Sequence, residues 1–96
     1  MALADHRRAM WVREDLRLSG ASDADYQAAR TASHNTRSAL TAPLTTLAIL
    51  APDLAGVAQG AAGATYALRN TENRELLDCY REAAIEAADD LVRAAA

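Results

Sequence analysis

Apolar and polar positions follow a helical period at both ends of the chain, and the period blurs in the middle. Over residues 3–18, Ala9, Val12 and Leu16 share one helical face, with Leu3 and Met10 beside it. Trp11 and Leu18 lie on another flank, while Arg7, Arg8, Arg13, Glu14 and Arg17 cover the remainder. This spacing predicts a first helix with an imperfect amphipathic split. Ser19-Gly20 stops it. Ser22, followed three residues later by Asp25, forms a capping arrangement with aspartate in place of the usual glutamate, so a second helix starts near Asp23.

In that second helix Tyr26, Ala29, Ser33, Thr36 or Arg37, Leu40, Leu44 and Leu47 recur at helical spacing. Pro43 interrupts the run. Proline inside a helix removes a hydrogen bond and clashes with the preceding turn, which favours a break near Ala42 over a kinked continuation. Pro52 fits better, because with Asp53 it suits the first turn of a third helix, where a missing amide costs nothing. Leu54, Val57, Ala58, Ala61, Thr65 and Leu68 give that helix a buried face. Asn70 or Thr71 is the expected cap of a last helix reaching Ala95, with Leu76, Leu77, Tyr80, Ala84, Ala87, Leu91 and Ala95 as its stripe. Glu75, Asp78, Glu82, Glu86, Asp89 and Arg93 form its wet side, where Asp89 and Arg93 stand at pairing distance. At about 24 residues this helix is roughly 36 Å long and calls for a second long helix antiparallel beside it. The expected fold is therefore all-α: a bundle of three to four helices, or a long helical hairpin with shorter helices packed on it, in a single domain over residues 1–96.

Composition thins the core of such a bundle. Of 96 residues, 25 are alanine, and all ten basic residues are arginine. Alanine favours helix but contributes little buried area, so a few large side chains must hold the core. A chain this short already buries only about 60% of its extended surface. A partner would supply the missing burial, which argues for a homo-oligomer or a subunit of a larger complex. Trp11, Leu47, Val57, Gly60, Leu76, Tyr80 and Leu91 are the candidate interface positions, with the aromatics as anchors. Gly56, Gly60 and Ala64 recur every fourth residue and offer a small face for close helix packing.

From Ser38 to Leu68 the only charge is Asp53. That run is long enough to span a bilayer, and Arg37 and Arg69 bracket it. Asp53, Gln59 and two prolines argue against insertion, so burial in protein is the expected fate and a holin-like membrane protein the alternative. The opening residues lack the basic-then-apolar order of a signal peptide, and the cytoplasm is the expected location, with export by a non-classical route or membrane association as alternatives.

Chemistry is sparse. His6 and His34 have no ligand at i+3 or i+4 in a metal pattern, and no cofactor or metal is implied. Cys79 reads as a small buried hydrophobe. The negative charges of its neighbours Asp78 and Glu82 oppose a thiolate pair with His34. No glycine-rich segment ends in the Lys-Ser or Lys-Thr of a phosphate loop. The net charge of -3 argues against nucleic acid, because Asp5, Glu14 and Asp15 interrupt the arginines around Trp11. The expected function is non-enzymatic: an interaction or assembly protein whose partner is itself or another helical chain. The alternative is a small enzyme or anionic-ligand-binding bundle, with Arg30, His34, Arg37, Tyr66 and Arg69 around a pocket shared between subunits.

Overall fold

A computed structural model describes residues 1–96 as four packed helices without strands. They are α1 (Ala2–Leu18), α2 (Asp23–Leu50), α3 (Ala55–Tyr66) and α4 (Arg74–Ala95), with a short 3-10 turn, Pro52–Leu54, between α2 and α3. The all-α expectation holds. At a rise of about 1.5 Å per residue, α2 with its 28 residues accounts for the 43 Å long axis of the molecule.

Local chemistry fixes most boundaries as expected. Gly20 takes φ +71°, the left-handed conformation that stops α1. Ser22 caps α2 by accepting the Asp25 amide at 3.3 Å. Ala51 leaves the helical region at φ −140°, as the residue before Pro52 must. The cap of α4 differs from the expectation. Asn73, not Asn70 or Thr71, accepts the Leu76 amide at 2.8 Å. Asn70 instead takes φ +59° and turns the chain out of α3, a conformation asparagine tolerates better than most residues.

Pro43 does not break α2. Leu40 before it and Leu44 after it pack into one apolar cluster with Leu3, Ala61 and Ala62, so an unbroken helix keeps both leucines on the core. Proline cannot donate to the carbonyl of Ala39 one turn back, but Ala39 is exposed and water can serve that oxygen. The neutral run Ser38–Leu68 is thereby divided among α2, the 3-10 turn and α3, and no helix is long and apolar enough to cross a membrane.

The arrangement of long and short helices is also corrected. α1 and α3 each pack against all three other helices, while the backbones of α2 and α4 do not approach each other closely. The two short helices thus form the inner diagonal, and the long ones lie outside. A second apolar cluster, Met10, Leu68, Leu77 and Ala84, joins α1 to the α3–α4 hairpin.

The face of α1 is the largest departure from the pattern. Its buried residues are Leu3, His6, Met10, Arg13 and Glu14, whereas Val12 is exposed and Ala9 and Leu16 are half-buried. Arg13 and Glu14 are not wet positions. The Glu14 carboxylate, fully buried, accepts Arg17 Nε–H at 2.6 Å. Its other oxygen accepts the backbone amide of Asn70, and Arg17 donates onward to the Thr71 carbonyl. One carboxylate therefore ties α1 to the turn between α3 and α4.

Smaller corrections follow from the same packing. Cys79 is exposed, because Leu77 and Ala84 define the buried line of α4 and a residue two places from Leu77 points away. Arg93 pairs with Asp90 rather than Asp89. Gly56 and Gly60 are exposed, with open space where a Cβ would stand, so they make no close helix contact within the chain. The inner face of α3 is Ala58, Ala61, Ala62 and Thr65 instead.

Removing the buried Glu14 carboxylate leaves the Asn70 amide without its acceptor and Arg17 without its ion-pair partner. Glu14→Ala is expected to lower unfolding free energy by on the order of 3 kcal/mol in urea denaturation. The exposed Glu82→Ala should change it by less than about 0.5 kcal/mol. Equal effects would refute the anchoring role.

Candidate functional site

The polar face of α1 meets α2 and the end of α3 in a cleft. α1 supplies His6 and Arg13, α2 supplies Ser33, His34 and Arg37, α3 supplies Tyr66, and the turn after it supplies Arg69. The enclosed inner part has a volume of about 40 Å³. An outer chamber of about 380 Å³ shares His34, Arg37 and Tyr66 with it and adds Ser38, Thr41 and Leu44. No carboxylate lines either part.

Helix periodicity explains the convergence. His6 and Arg13 are two turns apart on one face of α1, and Ser33 and Arg37 are one turn apart on α2. Tyr66 sits between them. The Arg37 guanidinium lies 4.1 Å from the centre of its ring. The His6 ring approaches it edge-on, with centroids 5.7 Å apart. Arg13 donates to the Ser33 hydroxyl at 3.2 Å, and that hydroxyl donates to the Arg30 carbonyl at 2.7 Å.

The hydrogen bonds also fix the state of His6. Thr36 donates its hydroxyl hydrogen to the Ser33 carbonyl at 3.1 Å, so its oxygen is left to accept from His6 Nδ1–H at 2.7 Å. Nδ1 therefore carries the proton, and Nε2 is a bare acceptor, buried and without a partner. Burial first, then the positive charges of Arg37 and Arg13, lower the His6 pKa to about 4. Arg13 Nε is likewise buried without a partner.

Of the five anion-binding candidates, His34, Arg37, Tyr66 and Arg69 line this cleft. Arg30 does not; it contributes only its carbonyl, to Ser33. One chain brings the four together without a second subunit. Sequence reasoning missed His6, Arg13 and Ser33, although their spacing from one another and from Arg37 on their helices carried the signal.

The interface candidates are dispersed. Trp11 lies half-buried between α1 and α4, where its indole N–H donates to Asp78 at 3.1 Å and Arg81 stands 5.4 Å from its ring centre. Leu47 and Leu91 face an apolar pocket at one end of the bundle. Val57, Gly60 and Tyr80 are exposed on α3 and α4, and Leu76 is half-buried. No group of three or more His, Cys, Asp or Glu side chains is gathered as metal ligands.

Comparison with known proteins gives the chain a family. It matches the KilB plasmid transfer protein family over residues 1–96. The chain belongs to that family. It is 64% identical over 95 residues to Protein KilB of Streptomyces lividans, an alignment covering 99% of this chain. The chain spans 65% of the length of that relative. No solved structure matches it.

The lowered pKa of His6 makes stability depend on pH. The unfolded chain takes up a proton near pH 6.5 and the folded one only near 4, so stability is complete above about 6.5 and falls as pH drops toward 4. The loss from this group is expected to reach about 3 kcal/mol. His6→Asn keeps a donor for Thr36 but cannot titrate. Urea denaturation at a series of pH values should show a flatter profile for this variant between pH 6.5 and 4; parallel profiles would refute the assignment.

Proposed function

We propose that this chain is a non-enzymatic assembly component of plasmid transfer, and that it associates with a second copy of itself through the apolar end of the bundle. The observation that carries this reading is the surface at that end. The start of α1 and the ends of α2 and α4 enclose a pocket of about 370 Å³, in which nine of ten lining residues are hydrophobic. Leu3, Leu44, Leu47 and Leu91 form its walls. Ile49 and Leu50 stand at the C-terminal end of α2, exposed at 72% and 77%, and Val92 of α4, which lines the pocket, is also exposed.

A concavity and protruding aliphatic side chains at one end are the ingredients of a two-fold interface, in which the same patch serves both partners. The leucines and isoleucine of one copy can fill the pocket of the other. The thin core supports the reading too: only 16 of 96 residues are buried, and ten of those are hydrophobic. Exposed aliphatic groups gathered at one place mark association surfaces more often than isolated ones do. Membership in a family named for plasmid transfer supplies the biological setting.

Sedimentation equilibrium over a range of concentrations tests this. The mass is expected to rise from 10.2 kDa toward twice that value as concentration increases. Ile49→Glu combined with Leu50→Glu, at two exposed positions, should hold the chain at the monomer mass with unchanged helical circular dichroism. A wild-type chain that stays monomeric throughout would overturn self-association.

A further inference from the structure

We propose that the cleft between α1, α2 and α3 binds a small phosphate monoester, with its phosphoryl group in the inner cavity and its organic part in the outer chamber. The argument begins with the arginines. Arg8, Arg17, Arg74, Arg81 and Arg93 each lie within 4.0 Å of a carboxylate. Arg7, Arg13, Arg30, Arg37 and Arg69 do not, and three of these five, from three different elements, line one small cavity. In a chain with 13 acidic residues, leaving that cavity free of every carboxylate is a marked segregation of charge.

Burial sharpens the point. Arg13 is only 5% exposed, yet its sole hydrogen bond goes to the neutral Ser33 hydroxyl and its Nε has no partner. A buried charge is unfavourable unless something compensates it. An anion held among Arg13, Arg37 and Arg69 supplies that compensation, and guanidinium groups match the tetrahedral oxygens of a phosphoryl group through charge-assisted hydrogen bonds. Two further donors, Tyr66 and His34, stand on the same walls. The second orphan atom, His6 Nε2, is an acceptor. A phosphoryl group, with a second pKa of about 6, can share a proton with His6 Nε2 while its other oxygens accept from Arg13; a carboxylate, with a pKa of about 4, brings no such proton near neutral pH.

Size selects the class of ligand. The inner space of about 40 Å³ admits one compact oxyanion and excludes a ring. The outer chamber of about 380 Å³ offers the hydroxyls of Ser38 and Thr41 against the apolar walls of Leu44 and Tyr66, a surface for a small polar organic group. A nucleic-acid strand needs a continuous basic track, whereas this chain carries a net charge of -3 and brings three of its five unpaired arginines to one small cleft.

Nuclear magnetic resonance titration of the full chain with inorganic phosphate and with ribose 5-phosphate, at constant ionic strength maintained by chloride, tests the site. Saturable one-to-one binding is expected for both, with shifts at Tyr66 and His34 and tighter binding of the ester. Arg37→Gln and Arg69→Gln, both at exposed positions, should each weaken binding by about tenfold or more with helical circular dichroism unchanged. Arg7→Gln, an equally unpaired arginine outside the cleft, should leave it unchanged. Absence of saturation at millimolar phosphate, equal weakening by Arg7→Gln, or binding of a duplex oligonucleotide without binding of ribose 5-phosphate would each overturn the proposal. These variants lie away from Ile49 and Leu50, so the outcome is separate from that of the self-association test.

Discussion

The fold turns on a single buried carboxylate. Glu14 faces inward from the middle of α1, accepts from Arg17 on its own helix, and accepts the amide of Asn70 from the turn that joins α3 to α4. Arg17 extends the bridge to the Thr71 carbonyl. Because Asn70 stands in a left-handed conformation, its amide has no helical partner, and the turn depends on α1 for satisfaction. Two helical hairpins in which half of the ten buried apolar residues are alanine thereby acquire a fixed register. Apolar burial supplies the drive to collapse, but two clusters of four buried residues specify the arrangement weakly. The polar contact supplies the position.

α1 carries this burden along its whole length. Leu3 and Met10 serve one apolar cluster each, and His6, Arg13 and Glu14 fill the space around and between them. The adjacent residues Arg13 and Glu14 are buried on neighbouring parts of the same face but meet opposite fates. Glu14 finds a cation and an amide, whereas Arg13 finds a serine hydroxyl and a cleft. The same helix thus anchors the fold and furnishes a buried arginine with no carboxylate partner. The apolar pocket proposed for association and the cleft proposed for ligand binding adjoin at Leu44, which lines both.

Much of this architecture was legible from the residues. Ser22 and Gly20 act through local backbone chemistry and mark their boundaries as expected, whereas Pro52 opens a 3-10 turn and α3 starts three residues later, at Ala55. The face of α2 from Tyr26 through Leu47 was also readable, because its apolar and small residues keep a steady period. Pro43 misled because its penalty is local while the packing of Leu40 and Leu44 is not. α1 misled for a related reason. Its apolar residues form no single stripe, and the buried side was chosen by partners distant in the chain: Ser33, Thr36, Asn70 and Thr71. Half of the cleft was visible as arginines flanking a neutral run. The other half, His6 and Arg13, was hidden because charged residues on a surface helix read as solvated.

The chain belongs to the KilB plasmid transfer protein family, and the polar face of α1 fixes how its helices pack. Native-state hydrogen exchange at the Asn70 amide tests that role most directly. This amide lies in a turn and has no backbone acceptor, so by turn geometry alone it should exchange rapidly. Held by the buried carboxylate of Glu14, it is expected to exchange only when the whole bundle unfolds, with the same opening free energy as the amides of Leu77 and Ala84. Exchange of Asn70 at the rate of an exposed loop amide, while Leu77 and Ala84 remain protected, would contradict the claim that this contact fixes the fold.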